Sequence, residues 1–179
     1  MKKLYFVRHG ESEANALGIC AGHTDVALTR EGLEQARQAG HDLLESGQTI
    51  DLIVSSPLKR ALTTAQEIAR YIGYPEENIV LQRDAMERFR GDLEGRPSWE
   101  QDGMTDEEFA AHGAESEAEL LVRAERLRDF VTNRPEQSIL IVSHNQFGRL
   151  FIAHAKGMTW QQIDSLPNAH VFPIEFSNL

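Results

Sequence analysis

An unbroken apolar run between Ser138 and Ser143, with the sequence SILIVS, restricts the fold more than any other feature of the chain. A short run rich in β-branched residues predicts a strand, and the lack of polar positions within it indicates burial on both faces. Strands of this kind are typical of parallel sheets that are covered by helices on both sides. We therefore expect this strand at the centre of a parallel sheet.

Further strands and helices alternate along the chain. Apolar runs predict strands at Leu4–Val7, 51–55, 79–81 and 170–176. Helical periodicity and capping signals predict five helices. The first runs from about Thr29 to Ser46, and the second runs to Gly73 from an N-cap at Ser56, with Pro57 in its first turn. The others are a short helix after Thr105, a helix from Ser116 that ends before Pro135, and a helix from His144 to Gly157. The chain after Asn15 is predicted as a loop, and residues 84–104 as irregular. This order favours an α/β fold, a three-layer α/β/α sandwich with a mostly parallel central sheet.

Composition narrows the class of protein. The 179 residues fit one domain spanning 1–179, and the formal net charge of −10 argues against a nucleic-acid partner. A single cysteine rules out an intramolecular disulfide, and no stretch is apolar and long enough for a membrane span or a secretory signal. We expect a cytoplasmic protein with no membrane partner.

Polar residues that suit phosphate chemistry follow three of the predicted strands. Arg8 and His9 end the first strand, His144 ends the fourth, and Arg60 lies at the start of the helix after the second. Because ligands bind beyond the carboxyl ends of parallel strands, these four side chains are expected to meet at one edge of the sheet. Two arginines and two histidines repel one another unless an anion lies among them, so the pattern predicts a phosphate site.

Five sequence blocks, in this order, resemble the signature of the histidine phosphatase superfamily, also called the phosphoglycerate mutase-like family. The blocks are Arg8-His9-Gly10-Glu11-Ser12 with Asn15, Gly22-His23-Thr24-Asp25, Ser55 to Ala61 with Arg60, Glu87 followed by Gly91 to Gly95, and Val142-Ser143-His144. The resemblance extends along most of the chain and implies a phosphoglycerate mutase-like fold.

The resemblance also implies a metal-independent mechanism without a cofactor. His9 would attack phosphorus and form a phosphohistidine, while Arg8, Arg60 and His144 would hold the phosphoryl oxygens. Glu87 would serve as general acid and then general base, for which we expect its pKa to be raised by partial burial. Asn15 would donate a hydrogen bond to the phosphoryl group, and Gly22 and His23 would border the pocket.

Phosphatases and phosphoglycerate mutases of this family share such a site, and we favour a phosphatase. Arg90 stands where the mutase pattern has an aromatic residue, and the short chain offers little insertion to cap the pocket. Arg88 and Arg90 are expected to bind a second anionic group, so the predicted partner is a small phosphorylated metabolite. The oligomeric state stays open, with a homodimer as one option.

Two interpretations from other classes remain. A metal-dependent hydrolase would use His9, His144 and Glu87 as ligands, but the sequence lacks a compact ligand motif and the nearby arginines would repel a cation. A non-catalytic module would keep the fold and bind a phosphorylated ligand without turnover. The presence of every expected catalytic residue counts against that module.

Overall fold

The structure is a computed structural model that describes residues 2–174. Its sheet contains β1 (Lys3–Arg8), β2 (Leu52–Ser55), β3 (Val80–Leu81), β4 (Ser138–Ser143) and β5 (Val171–Ile174), in the spatial order β3-β2-β4-β1-β5. The neighbours β1, β4, β2 and β3 are parallel, and β5 runs antiparallel along β1. The expected central position of the apolar run at 138–143 is confirmed. Residues 175 and 176, which end the predicted last strand, lie outside the described part of the chain.

Six α-helices accompany these strands in residues 2–174. They are α1 (Glu13–Leu17), α2 (Arg30–Glu45), α3 (Lys59–Ile72), α4 (Asp106–Ala111), α5 (Glu117–Thr132) and α6 (Asn145–Lys156). Short 3₁₀ turns interrupt the irregular stretch, at Arg83–Ala85, Gly91–Leu93 and Ser98–Gln101. None of the helices in the described residues is long and apolar enough to cross a membrane.

The alternating side chains of β4 divide the core into two layers. Ile139 and Ile141 pack in one cluster with α5 and α6, whereas Leu140 and Val142 pack in the other with α2 and α3. Successive residues of a strand point to opposite faces, so a wholly apolar strand needs helices on both sides. The three-layer α/β/α sandwich is confirmed.

Two predictions about helices are wrong. Helix α3 does not begin at a Ser56 cap with Pro57 in its first turn, because its N-cap is Leu58 and its first residue is Lys59. The Ser56 hydroxyl accepts a bond from the Leu58 amide at 3.3 Å but also contacts His144, so it lies in the turn before the helix. Helix α1, where a loop was expected from Asn15 onward, is stabilised by a capping box between Ser12 and Asn15.

The register of the parallel strands places their carboxyl ends at one edge. Arg8 at the end of β1 pairs with Ser143 at the end of β4, and Ser55 at the end of β2 pairs with Val142. The residues that follow β1 and β4, His9 and His144, therefore emerge side by side. This edge of the sheet is where the predicted phosphate site has to lie.

Candidate active site

His9 is held in one tautomer by its own turn. Its Nδ1 atom lies 2.7 Å from the Gly10 carbonyl oxygen, and because a carbonyl only accepts, Nδ1 carries the proton and Nε2 is unprotonated. The Gly10 amide donates to the Thr64 hydroxyl at 3.0 Å, which ties this turn to α3. A Cβ atom at Gly10 would lie 2.2 Å from the Gly32 carbonyl oxygen, so only glycine permits this approach to α2.

Arg60 is buried beside His9. Its Nε atom donates toward His9 Nε2 at 3.3 Å, and its two terminal nitrogens donate to the carbonyl oxygens of Thr24 and Gly22 at 3.0 and 2.7 Å. Arg8, from the end of β1, donates to the Leu166 carbonyl oxygen at 2.6 Å. The two guanidinium groups thus converge on the edge where His9 emerges.

His144 lies beside His9 and is fully buried. Its ring centroid lies 5.1 Å from that of His9, and its Nε2 atom contacts the Ser56 hydroxyl at 2.8 Å. Burial lowers the pKa of both His9 and His144 well below the ordinary value, and the charge of Arg60 lowers it further. Both imidazoles are therefore neutral at physiological pH, which leaves His9 Nε2 nucleophilic.

Glu87 is held at the start of α6. Its carboxylate accepts bonds from the amides of Arg88 and Phe147, both at 2.9 Å, and from the Gln146 amide at 3.2 Å. Burial on its own raises the pKa of Glu87, but the charges of Arg90 and Arg60 and the bonds from main-chain amides outweigh burial. The expectation of a raised pKa for Glu87 is therefore wrong, since the net direction is downward and the carboxyl group is ionised near neutral pH.

A cavity of about 640 Å³ lies at this edge of the sheet, and the fully buried His144 is not part of its wall. His9, Arg8, Arg60 and Glu87 contribute to its wall, together with Asn15, Gly22 and Arg90. The positive φ of 50° at Gly22 favours glycine, and a Cβ atom there would lie 2.2 Å from Glu94 Oε1. The sequence analysis and the structure agree on all seven of these residues as neighbours of one pocket.

Arg88 does not reach the pocket, which corrects one predicted site residue. Its side chain is only 2% exposed and donates to Asp106 Oδ1 at 2.5 Å and to the Glu115 carbonyl oxygen at 2.6 Å. The guanidinium also lies over the Phe109 ring, 4.2 Å from the centroid. These contacts point Arg88 away from the cavity and make it a structural residue.

His23 and Arg90 behave differently from Arg88. His23 lies behind the pocket wall, where its Nε2 atom donates to the Glu87 carbonyl oxygen at 2.7 Å, so it contacts the site through the main chain. Arg90 lines the cavity, stacks 4.9 Å from the Phe109 centroid and donates to Gln146 Oε1. Of the two predicted arginines, only Arg90 is placed to touch a substrate.

Several pocket residues were not predicted. Asn145, Gln146 and Arg149 of α6 line the cavity, as do residues 98 and 101–104, Phe109, Trp160 and Gln161. The helical spacing of Asn145 and Arg149 could have placed both on the face of α6 next to His144. Phe109 lies on α4, Trp160 and Gln161 lie in a short 3₁₀ turn, and residues 98 and 101–104 lie in the irregular stretch, and no local pattern of the sequence assigns them to the pocket.

A metal centre has little support in this geometry. Within residues 2–174, no group of three or more histidine, cysteine, aspartate or glutamate side chains is arranged to hold a metal ion. The guanidinium of Arg60 lies against His9, one of the three ligands that a metal site would need. The cluster is instead a set of donors and cations suited to an anion.

The family profile described as "Histidine phosphatase superfamily (branch 1)" matches residues 4–178. The chain belongs to the histidine phosphatase superfamily. The resemblance of its five sequence blocks to this family is thereby confirmed, and three of those blocks supply the His9 turn, Arg60 and His144, which the structure brings together.

Members of the superfamily that resemble this chain include both phosphatases and mutases. An adenosylcobalamin/alpha-ribazole phosphatase of Escherichia coli K12 is 32% identical, over 87% of this chain and 80% of its own. A phosphoglycerate mutase of Schizosaccharomyces pombe is 29% identical, over 97% of this chain and 88% of its own. The structure of an Entamoeba histolytica phosphoserine phosphatase mutant (H9A) in complex with phosphoserine is 29% identical, covers 97% of this chain and 90% of its own, and superposes with a TM-score of 0.75.

Proposed function

We propose that this protein is a phosphatase that hydrolyses small phosphomonoesters through a phosphohistidine formed on His9. The observation that carries the proposal is the tautomer of His9, whose Nδ1 proton is donated to the Gly10 carbonyl oxygen at 2.7 Å. This bond directs the lone pair of Nε2 toward Arg60, in a cavity wall that also contains Arg8 and Glu87. A neutral nucleophile among fixed cations suits attack on a phosphoryl dianion.

In the first half-reaction, His9 Nε2 forms a bond to phosphorus while the bond from phosphorus to the ester oxygen breaks. Arg8 and Arg60 stabilise the equatorial oxygens, on which the charge of the transition state is spread. His144 donates from Nδ1 when its Nε2 accepts the Ser56 proton, and Asn15 adds a neutral donor. The Glu87 carboxyl group gives its proton to the departing alkoxide.

In the second half-reaction, the Glu87 carboxylate takes a proton from water. The water oxygen bonds to phosphorus as the bond to His9 Nε2 breaks, and inorganic phosphate leaves. His9 returns to the neutral tautomer, and Glu87 has regained the proton that it gave to the alcohol. The net reaction is one ester and one water converted to one alcohol and one phosphate.

Because the pKa of Glu87 is lowered, its role as general acid requires a source for the proton. A bound phosphoryl dianion offsets the positive charge of Arg60 and Arg90, so it raises the pKa of the neighbouring carboxyl group. A phosphomonoester that binds as the monoanion can also bring the proton with it. In both cases the productive complex contains one proton shared between Glu87 and the substrate.

A phosphoglycerate mutase is the second candidate, because a relative with that name aligns with 97% of this chain. Against it, Arg90 in the pocket wall stands where the mutase pattern has an aromatic residue. Incubation with 3-phosphoglycerate and a trace of the 2,3-bisphosphate separates the two. Release of phosphate exceeding formation of 2-phosphoglycerate supports the phosphatase, and the reverse supports the mutase.

The decisive experiment measures phosphate release from a panel of phosphomonoesters in the presence of a chelator. We expect release by the wild type, its loss in His9→Ala, and its retention in the matched control His41→Ala, which changes an exposed histidine of α2. Because a phosphohistidine hydrolyses in acid, the reaction with a ³²P-labelled ester is quenched with alkali before the phosphohistidine is detected. Binding of an ester without turnover would support a binding module, and loss of activity in chelator would support a metal enzyme.

A further inference from the structure

We propose that Arg123 is the positioning residue for Glu87, and that it acts by fixing the main chain on which this general acid is carried. Arg123 lies on α5, outside the cavity wall, so any effect on the reaction passes through Glu87. The inference rests on the role proposed above for Glu87. It assigns a function to a residue that no sequence block singled out.

The segment that carries Glu87 needs such support because it is not a strand. It consists of the 3₁₀ turn at Arg83–Ala85 and the residues after it, so several of its carbonyl groups have no sheet partner to donate to them. The Arg123 guanidinium supplies donors to three of them, at 2.8 Å to Asp84, 3.0 Å to Met86 and 3.1 Å to Glu87. One planar group therefore fixes the main chain up to the catalytic position.

An ion pair holds the guanidinium itself. Arg123 Nε and Nη2 donate to the two carboxylate oxygens of Glu115 at 2.6 and 2.7 Å, and the two side chains are only 13% and 12% exposed. The Glu115 amide also donates to the Phe89 carbonyl oxygen at 3.0 Å. The pair thus supports the main chain on both sides of Glu87, and its bidentate geometry leaves the guanidinium little freedom to rotate.

Arg123 also contacts the element that holds the carboxylate of Glu87. Its guanidinium lies over the Phe147 ring, 5.3 Å from the centroid, and the Phe147 amide donates to Glu87 Oε1 at 2.9 Å. Arg123 therefore connects the main chain of Glu87 with the start of α6. His23 donates to the same Glu87 carbonyl oxygen at 2.7 Å, which gives this carbonyl group a second donor.

The test uses the dependence of the rate on the leaving group. General-acid catalysis matters for a strongly basic leaving group, such as the alkoxide of benzyl phosphate, and little for a weakly basic one, such as the phenolate of 4-nitrophenyl phosphate. A displaced Glu87 should therefore slow the hydrolysis of benzyl phosphate more than that of 4-nitrophenyl phosphate. The measured quantity is kcat/KM, which reports phosphoryl transfer to His9. The variant is Arg123→Lys, which keeps the charge opposite Glu115 but loses the planar set of donors.

Two further variants give the upper limit of the effect and its control. Glu87→Gln removes the general acid itself. Its selective loss of kcat/KM for benzyl phosphate is therefore the largest that a displaced Glu87 can produce. Arg126→Lys is the matched control, because Arg126 lies on the same helix, is 56% exposed and donates to the Asp84 side chain instead of the main chain of Met86 and Glu87. We expect Arg126→Lys to leave kcat/KM for both esters unchanged.

For Arg123→Lys we expect kcat/KM for benzyl phosphate to fall by about tenfold or more, and for 4-nitrophenyl phosphate by about threefold or less. An equal loss on both esters would overturn the inference, since it would indicate general destabilisation. If Glu87→Gln itself shows no selective loss, the proposed role of Glu87 fails first and the inference fails with it.

A second variant serves if Arg123→Lys does not fold, as judged by circular dichroism. Glu115→Gln keeps the shape of the partner but removes its charge, so Arg123 retains its bonds to the main chain with more freedom. We expect a smaller selective loss on benzyl phosphate in this variant. A loss of the same size on both esters would again contradict the positioning role.

Discussion

Arg60 Nε donates toward His9 Nε2 over 3.3 Å, so the proposed nucleophile contacts a fixed cation. The same guanidinium is held by two carbonyl oxygens of the loop at Gly22 and Thr24. A bound phosphoryl group has to take over part of this contact, and Arg60 then donates to phosphoryl oxygens beside the attacked phosphorus. The geometry makes Arg60 the residue whose replacement should affect catalysis most directly after that of His9.

The replacement Arg60→Lys should lower kcat/KM by about 10²-fold or more, because a lysine has no planar set of donors to span a phosphoryl group and two carbonyl oxygens. Steady-state phosphate release from 4-nitrophenyl phosphate measures the effect. Lys59→Arg, one residue earlier on α3 and exposed, is the control and should retain the wild-type rate. A near wild-type rate for Arg60→Lys would contradict the proposed contact with the phosphoryl group.

The pH dependence follows from the directions of two pKa shifts. The pKa of His9 lies well below its usual value because of burial and Arg60, so the nucleophile stays neutral in mildly acidic solution. The pKa of Glu87 is also lowered, so its acid form is scarce near neutral pH. For an alkyl phosphate, kcat/KM should fall about tenfold per pH unit above about pH 6, where the second phosphoryl proton is lost as well.

A pH–rate profile between pH 4 and pH 8 measures this fall. 4-Nitrophenyl phosphate is the control substrate, and it should show a shallower decline because its leaving group needs less protonation. A profile for the alkyl ester that is flat or rises toward pH 8 would show that the productive complex does not need the proton.

Arg90 should affect both the pKa of Glu87 and the binding of the substrate. After burial, its charge is the largest influence on the pKa of Glu87, and it lowers that pKa, so Arg90→Met should move the decline of kcat/KM to higher pH. If Arg90 also binds a second anionic group, KM for a carboxylated phosphomonoester should rise by about tenfold, with little change for an uncharged one. The control is Arg83→Met, an exposed arginine in the turn before Glu87. An unchanged pH profile and unchanged KM values would refute both roles.

Arg88 should govern stability without affecting substrate recognition. Arg88→Met removes the donors to Asp106 and Glu115 from a nearly inaccessible position, so the free energy of unfolding should fall by about 1–3 kcal/mol. Urea titration followed by circular dichroism measures the loss, and Arg96→Met, a half-exposed arginine, is the control. A KM effect confined to carboxylated esters would return Arg88 to the pocket and contradict its orientation in the structure.

The local patterns of the sequence were sufficient for the architecture and for the cluster of residues at the ends of the strands. The apolar run of β4 and the periodicity of the helices depend on neighbouring residues, so the layers could be predicted. Because the ends of parallel strands meet, the positions of Arg8, His9 and His144 followed from the order of the elements. The motif around Ser56 placed Arg60 correctly although the helix begins later than expected.

Local sequence patterns could not predict the side-chain directions in the irregular chain between β3 and α4. Arg88 and Arg90 are two residues apart and looked equivalent, yet one points to Asp106 and the other lines the cavity. Their directions depend on contacts with α4 and α6, which are distant in sequence. The expected rise in the pKa of Glu87 failed for the same reason, since the amides at the start of α6 and the charge of Arg90 act only after folding.

The sequence by itself thus determined the fold class, the family and the residues at the ends of the strands, since short-range periodicity and motif order carry that information. The tertiary structure alone decided which arginine lines the cavity, the direction of the pKa shift of Glu87 and the bonds of Arg123 to the main chain at Glu87. Those properties arise from burial and from pairs of residues brought together across the chain. An electrostatic field depends on distances in space, and a linear sequence does not state them.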